Sequence, residues 1–285
     1  MTELTLYEEA MCCSTGVCGP DPDDELVEEI VAGHDVDVIF HEASKAGVRT
    51  SVEQPKAYNE NNIDGIVTVL EAAADHGVER VVNASSSSVY GVPEYLPYDE
   101  EHPNYPKSPY AVTKLASEHY CKVYSDLHDL PTVSLRYFTV YGPRMRPNMA
   151  ISNFVSRVLN DEPPIIYGDG EQTRDFTYID DIVEGVVRAS DDVAQPNPEW
   201  NSDAPDPATS NAPYRIFNIG NNDPVKLSAY IEAIESALGK QAIKELLPLQ
   251  PGDVPDTYAD STELEKAVGY KPATPVKEGV ANFVA

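Results

Sequence analysis

Short apolar, β-branched runs alternate with helix-patterned stretches through most of the chain, and this alternation constrains the fold more than any other feature. Leu26, Val27, Ile30 and Val31 recur at the spacing of one helix face. The run Val36-Asp37-Val38-Ile39-Phe40 that follows reads as a strand buried on both faces. A helix is predicted over residues 55–76, with Ile63, Ile66, Val67, Leu70 and Ala74 on one side and Gly77 as its stop. Strands at 80–84, 132–138 and 215–219 and helices at 108–128, 150–160 and 227–238 continue the pattern, with turn-rich stretches at 93–106 and 141–148. Apolar strands separated by helices form a parallel sheet with right-handed crossovers. The expected fold is α/β, a doubly wound parallel sheet with a smaller C-terminal lobe. Residues 191–214, proline-rich among Asp, Asn and Ser, read as a surface insertion, and residues 4–7 as a short strand-like run.

The 285 residues suffice for one large or two small domains with full cores. They carry 48 acidic against 20 basic side chains, a formal charge of −28. Nucleic acid and anionic membrane surfaces require clustered lysine and arginine, so neither is an expected partner. The acidic residues are spread along the chain and not gathered in one tail. Such a skin suits a halophilic protein, kept soluble where concentrated salt screens self-repulsion. No run of about 18 uncharged apolar residues exists, and the N-terminus has no basic segment or signal-like core. Three of the four cysteines crowd into residues 12–18, unlike a secreted disulfide framework. A cytoplasmic location is expected.

Tyr110 and Lys114 stand on one face of the predicted helix 108–128. A cation beside a phenol favours the phenolate, which a general base requires. An ordinary exposed pair at this spacing is the alternative. Ser86 stands where a buried strand emerges at its carboxyl end, the edge at which open α/β sheets place their ligands. Its hydroxyl suits a hydrogen bond to a reacting oxygen alongside Tyr110. The alternative for the serine run 85–88 is a polar loop with local turn bonds. Cys121, mid-helix, reads as core packing, and His41 at a strand end as structural.

Six ordered motifs carry a family resemblance: His41-Glu-Ala-Ser-Lys-Ala-Gly-Val-Arg49, Asn61-Asn-Ile-Asp-Gly65, Ala84-Ser-Ser-Ser-Ser-Val-Tyr-Gly91, Ser108 to Lys114, Arg136-Tyr-Phe-Thr-Val-Tyr-Gly-Pro143, and Gly168-Asp-Gly-Glu-Gln-Thr-Arg174 continuing to Asp181. On these the chain resembles the extended short-chain dehydrogenase/reductase family, and within it the nucleotide-sugar 4-epimerases that act on UDP-glucose or UDP-glucuronate. The resemblance implies a Rossmann-type sheet, NAD as cofactor, a nucleotide-sugar as substrate and a 4-keto intermediate between its two C4 epimers. It makes Tyr110 the catalytic acid and base, Lys114 its partner and a ligand of the nicotinamide ribose, and Ser86 the hydroxyl that orients the sugar O4. It places Ala43 and Ser44 in a turn beside the cofactor, Asn61 behind it and Phe138 near the nicotinamide. Thr139 falls among the substrate contacts, Arg174 grips the diphosphate with a planar fork, and Asp253 lies in a loop over the nucleotide. The related 4,6-dehydratases carry Asp-Glu directly after the catalytic hydroxyl residue. Ser87-Ser88 stand there in this chain, which disfavours elimination. Members commonly pair through the helices bearing Asn61 and Tyr110, which implies a homodimer.

The family opens with a strand, a G-x-x-G-x-x-G turn and a helix whose N-terminus holds the cofactor pyrophosphate. No such sequence occurs here; the only early glycines are Gly16, Gly19 and Gly33. The resemblance therefore implies an incomplete Rossmann-type sheet whose missing central strands expose apolar edges. Residues 1–22 instead resemble the N-terminus of the arsenical-resistance metallochaperones, through Met11-Cys12-Cys13-Ser-Thr-Gly-Val-Cys18-Gly-Pro20. Soft thiolates at Cys12, Cys13 and Cys18 suit a trivalent metalloid. The expected domains are a Cys-rich segment at 1–22, a truncated dinucleotide-binding domain at 23–165 and a sugar-nucleotide lobe at 166–285. Two other readings stand beside the epimerase: an inactive remnant unable to hold NAD, and a metalloid-binding protein using the three cysteines.

Overall fold

The computed structural model describes residues 24–147, 149–248 and 256–285. The run at residues 4–7, the cysteines Cys12, Cys13 and Cys18, and Asp253 lie outside the described residues. In chain order the first elements are α1 (Asp24–Gly33), β1 (Val38–His41), α2 (Val48–Glu53), α3 (Pro55–Asn59), α4 (Gly65–His76), β2 (Arg80–Ser86), α5 (Pro109–His128), β3 (Thr132–Tyr137) and β4 (Thr139–Tyr141). There follow α6 (Ala150–Leu159), β5 (Ile165–Tyr167), β6 (Thr173–Tyr178), α7 (Ile179–Asp191), β7 (Tyr214–Ile219), β8 (Pro224–Lys226), α8 (Leu227–Leu238), β9 (Glu245–Leu247), α9 (Thr262–Val268) and α10 (Val276–Val284).

The chain forms two compact units, each assembled from separate segments. One comprises the described residues of Met1–Gly91, Pro103–Arg136 and Ala189–Phe217; the other comprises those of Val92–His102, Tyr137–Arg188 and Asn218–Ala285. Sequence-based boundaries after residues 22 and 165 do not follow this division. Hydropathy marks which residues are buried, but not which core each segment joins.

In the first unit, β1 and β2 pair in parallel, Val38 opposite Arg80 and His41 opposite Asn83. They belong to a four-stranded sheet of order β1-β2-β3-β7. Ile66, Leu70, Ala73, Val81, Cys121 and Ile216 form its core, so Cys121 is the packing residue its position suggested. Full burial of side chains such as Ile66 and Leu70 stabilises by about 1.5–3 kcal/mol each. β1 departs from expectation. It begins two residues late, and Phe40 is 44% exposed where burial on both faces was expected. The reason is its place: among the described residues β1 is the last strand on its side of the sheet, so no neighbour covers it.

The single helix expected over 55–76 is also revised. A π turn at Glu60–Asp64 separates α3 from α4. Its cause is visible in the hydrogen bonds, since the Lys45 backbone N–H donates to both Asn61 Oδ1 (2.9 Å) and Asn62 Oδ1 (2.7 Å). Consecutive side chains on a regular α-helix diverge by about 100°, and the widened turn lets both reach one donor. Gly77, at φ 70°, then closes α4 with its N–H on the Ala73 carbonyl.

In the second unit β4 pairs in parallel with β6, and β8 joins β6 antiparallel. The loop expected at 141–148 thus opens with a strand residue. β5 and β9 form a separate parallel pair. Tyr141, Phe176, Tyr178 and Tyr230 build an aromatic core, with Phe176 and Tyr230 centroids 4.2 Å apart. A Cβ at Gly279 would overlap the Tyr141 ring, so only glycine lets α10 approach this cluster. No helix among the described residues is long and apolar enough to cross a membrane.

Candidate active site

α5 begins where the sequence dictates. Ser108 caps it, its Oγ accepting the Ala111 N–H at 3.2 Å, and Pro109 occupies the first helical position. Tyr110 therefore sits in the first turn, half-buried, with its ring edge-on to Tyr58 at 6.3 Å. The Tyr58 hydroxyl donates to the Gly47 carbonyl at 3.0 Å, so the chain after β1 reaches Tyr110 through a second phenol.

Lys114, one turn on, is not an exposed partner. It is 3% exposed, and its Nζ donates to the Ala84 carbonyl at 2.6 Å. Burial pulls its pKa down from 10.5 to about 8, against the raising influence of Glu42, Cys121 and Glu118. Across the same space His41, at the end of β1, is buried and neutral, its pKa lowered to about 3 by burial and then by the Lys114 charge. Ser86 is the last residue of β2, two beyond Ala84. Its Oγ accepts the Ser88 N–H at 3.1 Å, a bond that does not use its hydroxyl proton. Ser85, by contrast, donates to Glu118 Oε1 at 2.5 Å. The serine run is thus divided in task. One hydroxyl is spent in the core and the next stands at the strand terminus.

Ala43 and Ser44 follow β1 after Glu42, exposed and half-buried respectively. The turn they lead is fixed at Lys45 by Asn61 and Asn62. Asn62 also donates through Nδ2 to the Lys45 carbonyl (3.0 Å) and to Thr113 Oγ1 on α5 (2.9 Å). The remaining predicted residues belong to the second unit. Phe138 is buried against Tyr98, its N–H on the Ile219 carbonyl at 3.2 Å. Thr139 opens β4, half-buried. Arg174 lies on β6, half-buried, with Nη1 on the Thr173 carbonyl at 2.7 Å.

Sequence reasoning missed Asn62 and a buried pair. Arg136 on β3 donates through Nε and Nη2 to Glu118 Oε1 and Oε2, both at 2.8 Å, and its guanidinium lies 4.7 Å from the Tyr90 ring centre. The signal available was the placement of Glu118 one turn beyond Lys114, and of Arg136 inside an apolar strand.

The family model described as NAD dependent epimerase/dehydratase matches residues 17–220. The chain belongs to this family. Protein CapI of Staphylococcus aureus is 45% identical over 249 residues, covering 87% of this chain and 75% of that protein. A probable UDP-glucuronate 4-epimerase of Rhizobium meliloti is 45% identical over 253 residues, 87% of this chain and 73% of its own length. Among solved structures, UDP-glucuronic acid 4-epimerase from Bacillus cereus, in complex with UDP-glucuronic acid and NAD, superposes with a TM-score of 0.79 at 36% identity, covering 90% of this chain and 76% of that one. UDP-glucose 4-epimerase from Thermotoga maritima gives 0.81 at 28%, covering 92% and 81%. The Rossmann-type α/β architecture expected from the sequence is the one observed.

NAD is the family's cofactor, and the residues present can be tested against it. At the place expected for the nicotinamide ribose stands a buried lysine anchored on a strand carbonyl, and the turn expected beside the cofactor has its backbone pinned by two asparagines. For the pyrophosphate end the sequence offers no G-x-x-G-x-x-G turn, and among the described residues no strand precedes β1. The donor set fits the reactive half of the cofactor, where the chemistry takes place.

Proposed function

We propose that this family member interconverts the C4 epimers of a UDP-linked sugar, with UDP-glucuronate as the first candidate because the relatives at 45% and 36% identity carry that name. The observation that carries the reading is Lys114: buried, held by the Ala84 carbonyl, one turn from Tyr110 and two strand residues from Ser86. Chance surface pairs are not buried in this way.

In this reading the Ser86 hydroxyl donates to the sugar O4 and orients it. Tyr110, as phenolate, removes the O4 proton and later returns it, so one residue serves as base and then as acid. The Lys114 ammonium favours the phenolate and holds the nicotinamide ribose, with the Ala43–Ser44 turn beside the cofactor and Asn61 behind it. Bound NAD supplies reversible two-electron oxidation at C4. Phe138 is assigned to the nicotinamide side, Thr139 to the sugar and Arg174 to the diphosphate, where a guanidinium fork suits phosphate oxygens. Positioning and charge placement account for the rest of the catalysis.

A homodimer is part of the proposal. Val112, Tyr120, Val123 and Leu127 lie on one face of α5 and are exposed, Leu127 at 73%. Sedimentation of the wild type against Leu127→Glu tests it; a monomeric wild type removes it.

The test of function is direct. The full chain, with and without added NAD, is incubated with UDP-glucuronate or UDP-glucose, and the C4 epimer is followed by proton NMR. Interconversion is expected, and Tyr110→Phe lowers it by about 10²–10⁴-fold. Failure of both sugars with NAD supplied would leave the inactive-remnant reading.

A further inference from the structure

The seam between α5 and β2 is held by polar bonds. Three successive β2 residues each engage α5: Asn83 donates to Ser117 Oγ at 3.2 Å, the Ala84 carbonyl accepts from Lys114, and Ser85 donates to Glu118. β3 enters the same network through Ser134, which Asn83 reaches at 3.1 Å, and through Arg136 on Glu118. Ser85, Glu118 and Arg136 are buried, the two charged side chains at 1% exposure. Such a pair contributes little net stability over apolar residues of equal volume, since desolvation offsets the attraction. Its directional bonds do something apolar packing does poorly. They fix how far a helix slides along a sheet.

We infer that the Ser85–Glu118–Arg136 bridge is a positioning device that locks α5 against the carboxyl end of β2 and so sets where Tyr110 and Lys114 stand relative to Ser86. The inference rests on the proposed function for its kinetic consequence but not for its geometry. Glu118 acts on Lys114 in two ways, by holding their shared helix in register and by placing a carboxylate one turn away, which favours the ammonium. The other groups acting on Lys114 are His41 and Glu42, from β1 and the turn after it, and Cys121 on its own helix. Arg136 keeps the carboxylate compensated, and Tyr90 stacks beneath the guanidinium.

Two variants of the full chain test this. Glu118→Gln keeps shape and removes charge. The triple variant Ser85→Ala, Glu118→Leu, Arg136→Met replaces the bridge with apolar groups and leaves neither partner of the buried pair behind without the other. For each, the thermal midpoint, kcat and KM for UDP-glucuronate, and the Lys114 titration by lysine-selective carbon-13 NMR are measured. Expected is a folded triple variant with KM within about twofold and kcat reduced about tenfold to a hundredfold. In Glu118→Gln the Lys114 titration moves to lower pH, with kcat reduced in the same sense. Should the triple variant not fold, folded Glu118→Gln decides alone. Wild-type kcat together with an unmoved Lys114 titration in a folded variant overturns the inference. A wild type without turnover sinks the functional reading, and the NMR titration still judges the bridge.

Discussion

Lys114 carries its charge in a place that resists it. Burial brings its pKa to about 8, so the ammonium proposed to support a Tyr110 phenolate is lost as pH rises through that value. The rate of epimerisation is expected to fall on the alkaline side with an apparent pKa near 8, measured as kcat against pH with NAD saturating; a flat profile to pH 10 contradicts this role. His41 makes the opposite kind of statement, about folding. Its imidazole is neutral in the folded chain down to about pH 3, whereas the unfolded chain protonates it near 6.5. The unfolded state therefore binds more protons between these values, and stability declines as pH falls through the window. Asp175, raised by burial to about 6, binds its proton more readily when folded and works in the reverse sense between 3.8 and 6. The comparison that isolates His41 is His41→Gln against wild type in urea at several pH values, where the variant is expected to show the shallower acid loss. The placement of Tyr110 and Lys114 on one helix and of Ser86 at a strand end was legible from spacing and hydropathy, whereas the roles proposed for them rest on the family motifs. Glu118 and Arg136 were not, because one buried carboxylate among 48 acidic residues looks in sequence like its exposed neighbours.

At the scale of elements, hydropathy located helices and strands well and their interruptions poorly. α5, with its Ser108 cap and Pro109, and α4, with Gly77 beyond its end, carry local signals that a reader of sequence can use. The π turn before α4 has none, because its cause lies sixteen and more residues away at Lys45. β1 was misjudged for a related reason: burial on both faces is a property of its neighbours, and a terminal strand with the same residues leaves Phe40 in solvent. Asn62 is the element-scale test. Its side chain is buried and bonds the Lys45 N–H, the Lys45 carbonyl and Thr113, joining the turn after β1 to α5. Asn62→Ala removes the donor to the Lys45 carbonyl and to Thr113 Oγ1, leaving the Lys45 N–H on Asn61 alone, and is expected to cost about 1–3 kcal/mol in urea unfolding. It is also expected to raise the NAD concentration needed for half-maximal rate, since the same turn is assigned to the cofactor. A variant that loses stability with unchanged NAD dependence confines Asn62 to the fold.

For the whole molecule the governing quantity is charge. The formal charge is −28, and of the acidic side chains among the described residues only Glu100, Glu118 and Asp175 are buried. The family and the α/β class were readable from ordered motifs, yet the two compact units were not, because each is stitched from three segments. The acidity was readable too, and its consequence can be computed in sign. Surface pairs such as Lys122–Asp126 and Arg188–Glu184 contribute about 0–1 kcal/mol each, and salt weakens them. The same salt weakens repulsion among the carboxylates, which outnumber the basic side chains 48 to 20. Between 0.1 and 1 M the screening length falls from about 10 to about 3 Å, shorter than most spacings between surface charges. Repulsions outnumber attractions here, so the net effect is stabilising, and the thermal midpoint is expected to rise by several degrees across that range of sodium chloride. Sulfate at matched ionic strength separates the causes: screening predicts the same rise, whereas exclusion of salt from the surface predicts a larger one. A midpoint that stays level or falls in chloride means that the acidic skin is not a strain on the fold, and the halophilic reading goes with it.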